Sequence, residues 1–156
     1  MKKGSVFKSL CRKYFKYLEN EYECTFTSKK DVFGEHVIYR NHTTAIEINF
    51  VPRDAGMAYV WIIRLVDGKI VDNPVKIKSN SILNKFDLED LLSIRAPSLK
   101  IERPLEASLM KSPFTVHEYE NTIVQLAEAL KCYAKDILSG DFKVFTRLEK
   151  IVKKRR

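Results

Sequence analysis

The densest apolar stretch in the chain is Met57–Val66, Met-Ala-Tyr-Val-Trp-Ile-Ile-Arg-Leu-Val, rich in β-branched and aromatic side chains and free of Gly and Pro. That composition predicts a buried β-strand rather than a helix. Tyr59, Trp61, Ile63 and Leu65 fall on one face, and Ala58, Val60, Ile62 and Val66 on the other. A strand apolar on both faces is expected to sit centrally, with cover on each side. Upstream, His36–Arg40 and Thr43–Val51 predict two strands joined by a tight Asn41-His42 connection. In the second, Ile46, Ile48 and Phe50 alternate with Ala45, Glu47 and Asn49, so one face is buried and the other polar. Tyr22–Thr27 predicts a shorter strand, with a turn at Lys29-Lys30-Asp31, and Pro52-Arg53-Asp54-Ala55-Gly56 has the composition of a loop. Asp67-Gly68 between apolar runs predicts a type I′ hairpin that returns Lys69–Val71 onto Leu65–Val66. Val75 and Ile77 would extend that edge beyond Asn73-Pro74.

Helical spacing appears at both ends. Val6, Phe7, Leu10, Cys11, Tyr14, Tyr17 and Leu18 form one stripe, predicting an amphipathic helix over Ser5–Asn20. Asp87 is placed to cap a short helix over residues 87–92. Residues 96–114 carry three prolines among apolar residues and predict a packed excursion with a turn of helix from Pro104. Thr115-Val116-His117-Glu118 has the form of a capping box and opens a helix expected to run to Leu138. Ser139-Gly140 stops it, and Asp141 is placed to cap a last helix with Phe142, Phe145, Leu148 and Val152 inward. The expected fold class is α+β: an antiparallel meander sheet of four to five strands, packed with an N-terminal helix and two C-terminal helices. One domain spans 1–156, with the basic tail 153–156 frayed.

Charge modifies this picture less than its total suggests. The net charge is +8, but residues 1–16 carry six Lys/Arg and no acid, and residues 143–156 carry seven against one acid. The segment 17–142 is left at −4. The positive charge therefore belongs to the ends, where it marks solvated termini or, brought together, a phosphate-binding patch at Lys153, Lys154, Arg155 and Arg156. The three cysteines, Cys11, Cys24 and Cys132, are odd in number, far apart and set in apolar stripes. This predicts buried inert thiols, no disulfide framework and no structural zinc. No apolar run reaches membrane-spanning length and no signal-peptide core is present, so the expected location is cytoplasmic and no membrane contact is expected.

Signatures of catalysis are absent: no phosphate-binding glycine loop, no His-Glu-x-x-His and no nucleophile elbow. No cofactor is expected. Among scattered candidates, His36 and His42 flank a turn with Glu35 and Glu47 near in sequence, a conceivable acid–base or metal pair lacking a third ligand. Tyr39, Tyr59 and Trp61, with Arg40 and Arg64, could form a sheet surface that stacks bases, but the glycine-and-aromatic signature of RNA-recognition sheets is missing. The same aromatics suit a protein interface.

The run Tyr133-Ala134-Lys135-Asp136-Ile137-Leu138-Ser139-Gly140-Asp141-Phe142, followed by Phe145 and Leu148, resembles the C-terminal helical hairpin of small bacterial α+β proteins of unassigned function. Some of those accompany toxins as immunity partners. The resemblance covers about the last quarter of the chain and carries over no functional residue; its implication is a protein partner. Three readings follow. The first is a non-enzymatic, immunity- or inhibitor-type protein-binding domain that uses a patch drawn from Tyr39, Glu47, Tyr59 and Trp61. The second is a nucleic-acid-binding module using Lys153–Arg156, and the third is an enzyme built on His36, His42 and Glu47.

Overall fold

The computed structural model describes residues 4–51, 57–103 and 119–155. Five strands, β1 (Thr25–Asp31), β2 (Gly34–Arg40), β3 (Thr44–Val51), β4 (Met57–Arg64) and β5 (Lys85–Asp87), lie in chain order in one antiparallel sheet. The described helices are α1 (Gly4–Tyr14), α2 (Tyr17–Tyr22), α3 (Leu88–Arg95), α4 (Glu120–Tyr133), α5 (Lys135–Leu138) and α6 (Phe145–Lys154). The α+β meander expected from the sequence is the fold observed. Among the described residues no helix is long and apolar enough to cross a membrane.

Strand alternation decides where the core sits. Val37, Tyr39, Ile46, Ile48, Phe50, Ala58, Val60, Ile62 and Phe86 are buried and share the inner face of the sheet. Helices pack on that face. Phe7 of α1 stacks on Phe50 at 5.4 Å, Tyr119 just before α4 meets Phe50 edge-on at 5.5 Å, and Phe145 of α6 meets Phe86 at 4.8 Å. Burying each of these aliphatic and aromatic side chains contributes ~1.5–3 kcal/mol.

Several elements differ from their sequence-based expectation. The N-terminal helix breaks at Phe15-Lys16 into α1 and α2, because Phe15, outside the predicted stripe, turns into the core beside Tyr17 and Tyr39. Lys29-Lys30-Asp31 continues β1, and the turn falls at Val32-Phe33, where the Asp31 side chain accepts from the Phe33 and Gly34 N–H groups. The stretch 57–66 is second from the sheet margin rather than central. Its even face is core, while Tyr59 and Trp61 on the odd face are half-buried. Asp67-Gly68 does form the expected two-residue turn, both with positive φ, but the pairing shrinks to the Val66–Lys69 bridge. The fifth strand is instead Lys85–Asp87, and Val75, placed on an edge by the pattern, is 99% exposed.

The turn at Asn41 and the cap at Asp87 form as expected. Asn41 Oδ1 accepts from the Thr43 and Thr44 N–H groups, and Asp87 accepts from the Glu89 N–H at 2.8 Å. The loop 52–56, the helical turn from Pro104 and the capping box at 115–118 lie outside the described residues. The helix expected to reach Leu138 is interrupted at Ala134. Asp141 accepts from the Lys143 N–H and so shapes a turn, and α6 begins later at Phe145. Within the described part of the tail, Lys153 and Arg155 are held by side-chain contacts. Lys153 Nζ donates to the Ser79 and Ser81 carbonyls and to Glu149, and Arg155 pairs with Asp90.

Candidate functional site

The face of the sheet opposite the helices carries most of the chain's partly exposed chemistry. Register aligns Thr27, Ile38, Glu47, Trp61 and Asp87 in one transverse row, with Lys29, His36, Asn49 and Tyr59 in the next. Glu47, Tyr59 and Trp61 are thus brought together on this outer face, all half-buried. Lys85 joins them from β5: its ammonium lies 3.7 Å from Glu47 Oε1 and 5.1 Å from the Trp61 ring centre. A cation over an indole face beside a carboxylate holds Trp61 in a fixed orientation while leaving part of the ring to solvent. In the neighbouring row His36 Nδ1 is 2.6 Å from Asn49 Oδ1, and Nε2 is 3.0 Å from Asp31 Oδ1. The hydrogen bond from His36 is the foremost cause that holds the Asp31 carboxyl below its ordinary range.

Tyr39 does not belong to this patch. It pairs with Ile46 on the inner face, is fully buried, and its hydroxyl donates to the Cys11 carbonyl at 3.4 Å. Arg64 is likewise turned inward, donating to Asn84 Oδ1 and the Leu83 carbonyl beside Phe142 and Phe145. The predicted base-stacking surface of Tyr39, Tyr59, Trp61, Arg40 and Arg64 is therefore split between two faces. Arg40 stays on the outer face, in the row of Ala45 and Ile63, and donates to the Gly68 carbonyl.

The acid–base constellation is not assembled either. His36 and His42 are separated by six residues of β2 and its turn, roughly 20 Å, and Glu35 points to the face opposite His36. Among the described residues no group of three or more His, Cys, Asp or Glu is placed to hold a metal ion. All three cysteines are free. Cys11 and Cys24 are buried, and burial pushes the Cys24 thiol up to about 11 and Cys11 further still, which makes both poor nucleophiles. Cys132, expected to be buried, is exposed at the outer side of α4.

Two clefts lie away from the sheet face. One, about 370 Å³, is lined by Leu92, Ala96, Pro97, Leu99 and Ile101. The other, about 320 Å³, is lined by Glu21, Glu23, Asn41, His42 and Ser139. Of the proposed nucleic-acid residues, Lys153 and Arg155 are engaged in the contacts given above, Lys154 is exposed, and Arg156 lies outside the described residues.

Lys85 and Asn49 were the residues hardest to find from sequence. Asn49 sits in the polar half of the β3 alternation, a signal for its face but not for its contact with His36. Lys85-Phe86-Asp87 is too short to show a period at all. Comparison with family models, curated proteins and solved structures gives no match for this chain.

Proposed function

We propose that the chain is a non-enzymatic protein-binding domain whose partner rests on the outer sheet face around Trp61, Tyr59 and Glu47. The observation that carries this reading is the clustering of an indole, a phenol, a carboxylate and a lysine, all half-buried, on the face away from the helices. Aromatic side chains held in place and ringed by charge are favoured anchors in protein interfaces, because they lose little rotamer freedom on binding. An inhibitor or immunity role is the narrower form suggested by the resemblance of the C-terminal hairpin. The nucleic-acid reading is disfavoured by the tail itself: Lys153 and Arg155 would have to abandon carbonyl and carboxylate partners to meet phosphate. The test is a photo-crosslinking residue placed at Tyr59, Trp61 or the exposed Lys150 in the native host. One partner captured stoichiometrically from 59 and 61, but not from 150, supports the reading. Capture independent of position, or none, removes it.

A further inference from the structure

The two edges of the sheet are finished differently. On the β5 side, the Lys85 carbonyl accepts from Asn73 Nδ2 at 2.8 Å, and beyond the end of β5 the Ala58 carbonyl of β4 accepts from Arg103 Nη2 at 3.2 Å. On the β1 side, the backbone groups of Phe26, Ser28 and Lys30 point out of the sheet. That assignment follows from antiparallel alternation. The Asn41 N–H donates to the Thr44 carbonyl, so Tyr39 and Val37 bond to β3 while Arg40, Ile38 and His36 bond to β1. Their partners Thr25, Thr27 and Lys29 therefore turn inward to β2, which leaves Phe26, Ser28 and Lys30 facing the open edge. Among the described residues no side chain covers those groups. Apart from half-buried Phe26, every residue of β1 is exposed.

The surroundings of this edge are basic. Lys30 shares the face of Phe26 and Ser28, and Lys29 lies on the other. From α1, Lys8 Nζ and Arg12 Cζ lie 5.7 and 4.4 Å from the Phe26 ring centre. Glu35, opposite Lys30, and Glu19, 3.9 Å from Arg12, offset two of these charges. Among the described residues Lys8 and Lys29 have no acidic neighbour of this kind, and Asp31 is occupied by His36 and the turn.

We propose that β1 accepts an extended, acidic segment of a protein partner as an additional strand, its carboxylates at alternate positions facing Lys8, Arg12 and Lys30. Strand addition takes its affinity from backbone hydrogen bonds and its selectivity from alternate side chains. Lysines on an edge strand also discourage self-association. Both effects have one origin: a second copy would bring its own Lys29 and Lys30 to the seam, where like charges repel, whereas an acidic strand meets them with opposite charge. The proposal rests on the protein-binding reading and adds to it a contact at the edge instead of the face.

The test uses the full chain and a fluorescein-labelled octapeptide of alternating threonine and glutamate, with a threonine–lysine octapeptide as control. The acidic peptide is expected to bind at least tenfold more tightly at low salt, to weaken as salt rises, and to slow amide exchange at Phe26, Ser28 and Lys30. Ser28→Pro removes an outward N–H without touching the β1–β2 ladder and is expected to weaken binding tenfold or more. Lys30→Glu does the same by charge, so the test survives if the proline variant fails to fold. Equal affinity for both peptides, protection elsewhere, or unchanged binding in both variants overturns the proposal. Protection of the same amides in the concentrated protein without peptide would make a second copy the occupant and overturn it too. Lys150→Ala, at an exposed position of α6, should leave peptide affinity within twofold. Crosslinking from position 61 with a silent edge overturns the edge proposal alone, and edge binding with a silent position 61 overturns the face reading alone.

Discussion

The Arg95 guanidinium meets the Asp136 carboxylate through two parallel bonds, Nη1 to Oδ1 and Nη2 to Oδ2, both 2.7 Å, and Nη1 also donates to the Tyr133 carbonyl at 2.6 Å. Arg95 closes α3, while Tyr133 and Asp136 flank the break at Ala134, so one side chain fastens the kink between α4 and α5 to a third helix. Arg95→Ala is expected to cost ~1–2 kcal/mol at neutral pH. The hydrogen bond from Arg95 is the main cause that holds the Asp136 carboxyl below its ordinary range. A carboxyl depressed on folding stabilises above its unfolded pKa, and that contribution is lost as pH falls through the lower, folded value. Urea denaturation of parent and variant at pH 7 and in acid should therefore show a gap that narrows in acid.

Asp87 behaves in the opposite sense. Burial, reinforced by Glu89 and Asp90, pushes its carboxyl up to about 6. The folded chain then holds this proton to a higher pH than the unfolded chain does, so stability falls as pH rises from about 4 to about 6. Asp87→Asn keeps an oxygen for the Glu89 N–H and removes the buried charge. The variant is expected to match the parent near pH 4 and to exceed it by ~2–3 kcal/mol at pH 8, read from melting curves across that range.

The sheet was legible because period-two alternation in 44–51 and 58–64 assigns faces without knowledge of neighbours, and the α+β meander follows from it. What alternation cannot supply is cover. The odd face of β4 is as apolar in sequence as the even one, and only the placement of the helices shows that Tyr59 and Trp61 stay half-open. Tyr39 is a different case. Its partner Ile46 belongs to the buried alternation, so its burial follows once the Asn41 turn fixes the hairpin register. Residue type, a tyrosine beside an arginine, points the other way and loses. Lys153 and Arg155 illustrate a third limit, since their partners Ser79, Ser81 and Asp90 are remote in sequence and no local pattern couples them.

Two glycines separate backbone strain from steric contact. Gly68 has φ +75° with open space where a Cβ would stand, whereas Gly140 has φ +93° and a Cβ there would lie 3.3 Å from Thr43 Oγ1. Thr43 in turn is bonded to Asn41, so it cannot swing away freely. Gly68→Ala is expected to cost ~1 kcal/mol from the left-handed backbone alone. Gly140→Ala should cost more, ~2–3 kcal/mol, because the contact adds to the same strain. Equal losses in parallel thermal melts would show that Thr43 yields without cost.

Deleting residues 153–156 separates a structural tail from a phosphate-binding one. Lys153 Nζ sits 2.9 and 2.6 Å from the Ser79 and Ser81 carbonyls and 3.0 Å from Glu149 Oε1, while the other oxygen of Glu149 accepts from the Leu83 N–H at 3.2 Å. Arg155 neutralises Asp90, a buried acid beside Asp87. The tail therefore ties the segment before β5 and the start of α3 to α6. Its removal unpairs Asp90 and is expected to destabilise the chain by ~1–3 kcal/mol. In a chain of this size each kcal/mol corresponds to about 2–4 °C in Tm. A tail of free cations makes the contrary prediction: an unchanged Tm, and a gel-shift affinity for DNA at low salt that drops on deletion. A lowered Tm with no change in DNA retention would identify Lys153 and Arg155 as fastenings of the fold.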